Sequence, residues 1–199
     1  LSRSRAKADA FVALLQPLQQ PLEVYCRRML RNRSLVEDVI QSAIAEAFRQ
    51  FDQYAEGTNF KAWIFRFVTL AIFNRNRKHE PVPLGDSLPD IAAEEPLGQA
   101  RLDSSLDAML EDPDVVLEHF DDAVLGALED LPRAERAVLL LRAIGEFSYK
   151  EIHELLSIPV GSVIGYLSRA RQRLRLALAD YARERGLFAR GPLSGANEP

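Results

Sequence analysis

The stretch from Ser148 to Leu178 limits the possible folds more than any other part of the chain. Ser148-Tyr149-Lys150-Glu151 has capping-box spacing, with Ser at the N-cap and Glu three residues on, and predicts a short helix through Leu156. Ser157-Ile158-Pro159 turns the chain, and Val160-Gly161-Ser162-Val163 opens a further helix reaching at least Leu178. Apolar Ile152, Leu155, Ile158, Val163 and Leu167 fall where they can hold the elbow, so the pair reads as a helix-turn-helix. Just upstream, Val124, Leu125 and Leu128 lead to Leu131-Pro132, a proline suited to the first turn of a helix. Val138 to Ile144 supply its core run, and Gly145 is placed to end it. The last helix carries Arg169, Arg171, Arg173 and Arg175 on its outward side. In DNA-binding elbows this helix enters the major groove, while flanking cations meet phosphate; elsewhere such a row is a solvated face.

A second helical module precedes it. Ser34-Leu35-Val36-Glu37 reads as another capping box, opening a helix whose apolar stripe is Leu35, Val39, Ile40, Ala43, Ile44, Ala47, Phe48 and Phe51. Its opposite face shows Glu37, Asp38, Gln41, Ser42 and Arg49, to which composition alone gives no role beyond meeting solvent. A polar loop, Asp52 to Asn59, leads into a helix from Phe60 to about Lys78 with the core stripe Phe60, Trp63, Ile64, Phe67, Val68, Ala71 and Ile72. A different face carries Lys61, Phe65, Thr69, Phe73, Asn74 and Arg77, with Arg66, Arg75 and Lys78 nearby. Rings interleaved with cations and amides suit single-stranded DNA, whose bases stack on rings while its phosphates meet cations. The same pattern arises if Phe65 and Phe73 pack on another helix, and Phe11 to Leu18 and Leu22 to Leu30 could supply one.

Charge divides the chain at the same places. Residues 1–78 sum to +6, residues 79–130 to −14 and residues 131–199 to +4, within an overall −4. Two basic modules thus flank an acidic, proline-containing segment that reads as a solvated tether or a functional acidic strand. The single Cys26 excludes an internal disulfide, and three scattered histidines make no metal site. His153-Glu154 begins like a zinc-protease motif but lacks the second histidine. No phosphate loop and no nucleophile–base pair is visible, so neither enzymatic activity nor a cofactor is expected. The most apolar stretch, Trp63 to Phe73, is interrupted by Arg66 and falls short of the roughly 20 residues of a membrane span. With no apolar signal-peptide core near its start, the protein is expected to be cytoplasmic. Since the first residue is Leu, the native start is expected to be trimmed or upstream.

The motifs in order are familiar. Leu131-Pro132 through Arg142, Ser148-Tyr149-Lys150-Glu151-Ile152, Val160-Gly161-Ser162-Val163 and Ser168-Arg169-Ala170-Arg171-Gln172-Arg173-Leu174 resemble region 4 of bacterial sigma-70-type initiation factors. Val36 to Gln41 and Phe60 to Arg66 resemble region 2, and the nearest likeness is to the extracytoplasmic-function group. The resemblance implies an all-α fold of two small helical domains joined by an acidic linker. The expected divisions are a region 2-like bundle over 8–79, the linker over 80–120, a region 4-like helix-turn-helix over 121–185 and a flexible tail over 186–199.

It also implies a promoter-specificity subunit of RNA polymerase. Glu37, Asp38, Gln41, Ser42 and Arg49 would dock on the β′ clamp. Asn59, Lys61, Phe65, Arg66, Asn74, Arg75, Arg77 and Lys78 would capture the melted −10 strand. Arg142, Lys150, Ser162, Gly165, Ser168, Arg169, Arg171 and Arg173 would read the −35 duplex, with region 4 also on the β flap. The linker would thread toward the RNA exit path, and an anti-sigma factor of unknown identity would hold the protein inactive. Several positions depart from the family pattern: Ser42 for Glu, Leu70 for Asn, Asn74 for Asp, and Ile164-Gly165-Tyr166 for Lys-Ser-Arg. The last removes two cations where −35 contacts are expected. The competing readings are a stand-alone helix-turn-helix regulator and a protein-interaction adaptor derived from a sigma factor.

Overall fold

The computed structural model describes residues 2–55, 57–76 and 122–179. Arg77, Lys78, the acidic linker and the tail lie outside the described residues. Regular structure within them is entirely helical. The first module comprises α1 (Ser2–Leu15), α2 (Gln19–Met29), α3 (Val36–Arg49) and α4 (Phe60–Asn76), with short 3-10 turns at Gln16–Leu18, Arg33–Leu35 and Phe51–Gln53. The second comprises α5 (Asp122–Glu129), α6 (Arg133–Ala143), α7 (Tyr149–Leu156) and α8 (Val160–Ala177).

The start of α3 lies beside the end of α4, and the two helices run antiparallel. They bury Val36, Val39, Ala43 and Ala47 against Phe60, Ile64 and Val68. At the far end Phe11 meets Phe48, Phe51 and Phe60 edge-on, with centroids 5.3, 5.1 and 5.7 Å apart. Trp63 stands half-buried among Phe51, Tyr54 and Phe67 rather than deep in the core, so the stripe through Trp63, Phe67 and Ala71 is the shoulder of α4. The deeper line is Ile64, Phe65, Val68, Thr69, Ile72 and Phe73. Buried Thr69 sits 3.0 Å from the Tyr25 hydroxyl and donates to the Phe65 carbonyl at 2.8 Å, which leaves Tyr25 as the donor to Thr69. The neighbouring Cys26 thiol is pushed up to about 12, mainly by burial and secondarily by Glu23, and is inert as a nucleophile.

The capping box expected at Ser34 does not form. Asn32 accepts from the Ser34 amide at 3.0 Å and from its hydroxyl at 2.7 Å, capping a 3-10 turn that delays α3 to Val36. Asn32 competes successfully because it lies two residues before the amide it caps, the reach of an Asx turn. Glu37, freed from capping, accepts from Gln41 instead. The box at Ser148 forms completely: Ser148 Oγ accepts from the Glu151 amide, and Glu151 accepts from the Ser148 amide at 2.8 Å. Pro132 caps α6 one position before its first turn, and Gly145 follows its end. A Cβ at Gly145 would lie 2.4 Å from the Phe147 ring and 2.6 Å from the Leu141 carbonyl, so only glycine fits.

The two modules share one continuous apolar core. Helix α6 is buried on nearly every side, with α2 on one flank and α8 on the other. Replacing Thr69 with Val should leave the Tyr25 hydroxyl buried without an acceptor and cost about 1–3 kcal/mol. Adding Tyr25→Phe should restore much of that loss, as measured by urea denaturation.

Candidate polymerase and nucleic-acid interfaces

Three surfaces were expected from the sequence, and the structure arranges them differently. On α3, Glu37, Asp38, Gln41, Ser42 and Arg49 are all exposed. Gln41 donates to Glu37 at 3.0 Å, Arg49 is tied to Glu46, and Asp38 lies 3.5 Å from Arg75 at the end of α4. The pairs along this polar strip are exposed surface contacts and cost little to exchange.

The residues expected to meet a melted strand do not form one open face. Arg66, Asn74 and Arg75 are exposed, whereas Asn59 and Lys61 point at the second module. Asn59 caps α4 by accepting from the Ala62 amide at 3.0 Å, and its amide nitrogen donates to Glu151 Oε1 at 2.6 Å. Lys61 lies 3.4 Å from Glu146 Oε2 and 5.6 Å from the centre of the Phe147 ring. Phe65 is fully buried, its ring 5.4 Å from Tyr25 and 5.2 Å from Phe147. In this arrangement it cannot stack a base. The packing alternative therefore describes Phe65 and Phe73, because α4 is apolar on two sides and each side is covered. Arg133 stands over Phe73 at 5.8 Å.

In the second module α7 and α8 form the expected elbow. Ser157 takes the left-handed conformation (φ 55°) that ends α7, and His153 Nδ1 lies 2.5 Å from the Ile158 carbonyl across the turn. Val163, Tyr166, Leu167, Ala170 and Leu174 form the buried side of α8. Ser168 and Arg173 are exposed, Ser162, Gly165, Arg169 and Arg171 are half-buried, and Lys150 is exposed at the start of α7. Arg142 donates to the Phe147 carbonyl at 3.2 Å and stands 5.8 Å from the Tyr149 ring, which fixes its stem.

Sequence reasoning missed Glu135. Only 4% exposed in the first turn of α6, it holds Arg169 Nε and Arg173 Nε at 3.1 Å each. The signal was a carboxylate just ahead of the Ala137–Leu141 core run, too common to read alone. Nothing local could have found Glu146 and Glu151 as partners of Lys61 and Asn59, since they lie 85 and 92 residues away.

A bundle with an exposed polar helix face, followed by a helix-turn-helix with arginines along its second helix, defines a two-part DNA-binding factor of the sigma-70 type. Residues 14–81 match the family model for sigma-70 region 2, and residues 121–174 match the model for sigma-70 region 4. The chain is 31% identical over 172 residues to the ECF sigma factor SigW of Bacillus subtilis, covering 86% of this chain and 90% of SigW. It is 27% identical over 141 residues to the sigma-E factor of Escherichia coli, 70% of this chain and 71% of that one. It is also 25% identical to SigG of Mycobacterium tuberculosis, over 90% of this chain but only about half (54%) of SigG. The fold is like that of Bartonella quintana RpoE, solved with the anti-sigma factor NepR: TM-score 0.59, 19% identity, 84% of this chain and 98% of that one. CnrH, solved with the cytosolic domain of CnrY, gives TM-score 0.59 at 21% identity over 90% of this chain and 94% of that one. The chain belongs to the extracytoplasmic-function sigma factors of RNA polymerase, a family of non-enzymatic initiation factors. Among the described residues no helix is long and apolar enough to cross a membrane.

The capping box supports a pH prediction. The Ser148 amide and hydroxyl hold the Glu151 carboxyl below its ordinary value, with smaller help from Asn59 and Lys61. A carboxyl lowered in the folded state stabilises above its unfolded value, here about 4.5, and that stabilisation fades as pH falls below it. Ser148→Ala should therefore cost about 1 kcal/mol near neutral pH. The gap from wild type in thermal melts should narrow below pH 4.5.

Proposed function

We propose that this factor docks on core RNA polymerase through α3, captures the melted −10 strand with the start and outer face of α4, and reads the −35 duplex with α8. The working modules are residues 8–79 and 121–185, and the protein acts without catalysing a reaction itself, in the cytoplasm where its template is. The observation that carries this reading is the pairing of an exposed polar strip on α3 with an arginine-flanked helix-turn-helix in one chain. A stand-alone regulator would have no use for the first. The likeness to RpoE, solved with the anti-sigma factor NepR, and to CnrH, solved with the cytosolic domain of CnrY, supports an anti-sigma partner here as well.

Docking assigns Glu37, Asp38, Gln41, Ser42 and Arg49 to the β′ clamp. Asp38→Arg combined with Gln41→Ala should weaken core binding by at least about tenfold, roughly 1.4 kcal/mol. Helicity and melting temperature should hardly change, because both side chains are exposed. Wild-type affinity in the folded double variant would rule out this face.

Strand capture assigns Asn59, Lys61, Arg66, Asn74, Arg75, Arg77 and Lys78 to the −10 element, with cations for phosphates and amides for unstacked bases; Asn59 and Lys61 then exchange Glu151 and Glu146 for the strand. Asn59→Ala with Lys61→Ala should leave core binding intact and impair opening on duplex promoters, with partial recovery on a template pre-melted at −10. Permanganate footprinting reads both, and normal duplex opening by the double variant would refute the role. In the −35 duplex, Arg142, Lys150, Arg169, Arg171 and Arg173 supply phosphate contacts, while Ser162, Gly165 and Ser168 approach base edges.

A further inference from the structure

The half of α8 that enters the groove carries no charge. From Val160 to Ser168 the sequence is Val-Gly-Ser-Val-Ile-Gly-Tyr-Leu-Ser, and the first cation is Arg169. Arg169 and Arg173 are both drawn back toward buried Glu135, to the flank of the helix nearest α6. Val163, Tyr166 and Leu167 face the core. Two apolar side chains remain on the outward face: Val160, 40% exposed, and Ile164, 50% exposed. They stand one turn apart, with exposed Ser168 one turn further along the same row. Beside them Gly161 and Gly165 carry no side chain, and the space at Gly161 is open, so backbone and aliphatic groups can come close to a groove floor.

Base discrimination in the major groove ordinarily comes from charged or amide side chains in bidentate pairs, and this face has none. Serine hydroxyls both donate and accept and so discriminate weakly. The one apolar group that B-DNA presents in its major groove is the thymine 5-methyl. We propose that Val160 and Ile164 are specificity determinants that read thymine methyl groups in the −35 element, replacing cationic readout by apolar contact. The proposal rests on the assignment of α8 to the −35 duplex and names what that helix selects. Burial of one methyl against Ile164 corresponds to about 0.8 kcal/mol, or roughly a fourfold change in affinity.

The test uses holoenzyme reconstituted from the full chain and bacterial core polymerase. Duplex promoters randomised across −35 are selected for binding, and each thymine in the selected element is then replaced by deoxyuridine, which removes only the methyl. Wild-type holoenzyme should lose about fourfold in affinity at one or two of these positions. Ile164→Ser should lose that sensitivity and select a different element, and Val160→Ala should do so at the neighbouring position. Thymine-to-deoxyuridine changes without effect on wild type, or an unchanged preference in Ile164→Ser, would overturn the proposal while leaving α8 as the −35 reader. Recovery of no −35 preference at all would instead refute the −35 assignment, and the proposal with it.

Discussion

Helix α4 has no side it can afford to leave wet except a narrow polar strip, and that constraint organises the rest of the described structure. One flank, Phe60, Ile64 and Val68, is covered by α3. The other, Phe65, Thr69, Ile72 and Phe73, is covered by α2 and by the second module. A helix apolar on two sides needs two partners, and burial of a side chain such as Phe or Ile stabilises by about 1.5–3 kcal/mol. The second module lies against the first because the first is incomplete without a cover.

That constraint also explains what could and could not be read from sequence. The elbow from Ser148 to Leu178 was legible because its signals are local: a capping box, a turn ending in proline and a clean apolar period. The same reasoning failed at Ser34, where Asn32 offered a competing cap two residues earlier. It left Phe65 open between base stacking and packing, because periodicity marks a face without saying what covers it. The partners of Asn59 and Lys61 come from the far module, beyond any window on the sequence.

Glu135 sets where the cations of α8 can go. A buried carboxylate needs compensating charge, and Arg169 and Arg173 supply it from one face of the neighbouring helix. The guanidinium groups are thereby held in a defined orientation while their outer nitrogens stay toward solvent, since both side chains remain substantially exposed. Positive charge is thus fixed along the flank of the helix and absent from its tip.

The ring pair of Phe65 and Phe147 has a thermal consequence. Parting the two modules would expose both rings to water, and hydration of aromatic and aliphatic surface raises heat capacity. The free energy holding the modules together is therefore curved in temperature, weakening on cooling as well as on strong heating. The ion pair at the same seam, Lys61 with Glu146, responds instead to salt. Temperature and ionic strength act on different parts of one interface.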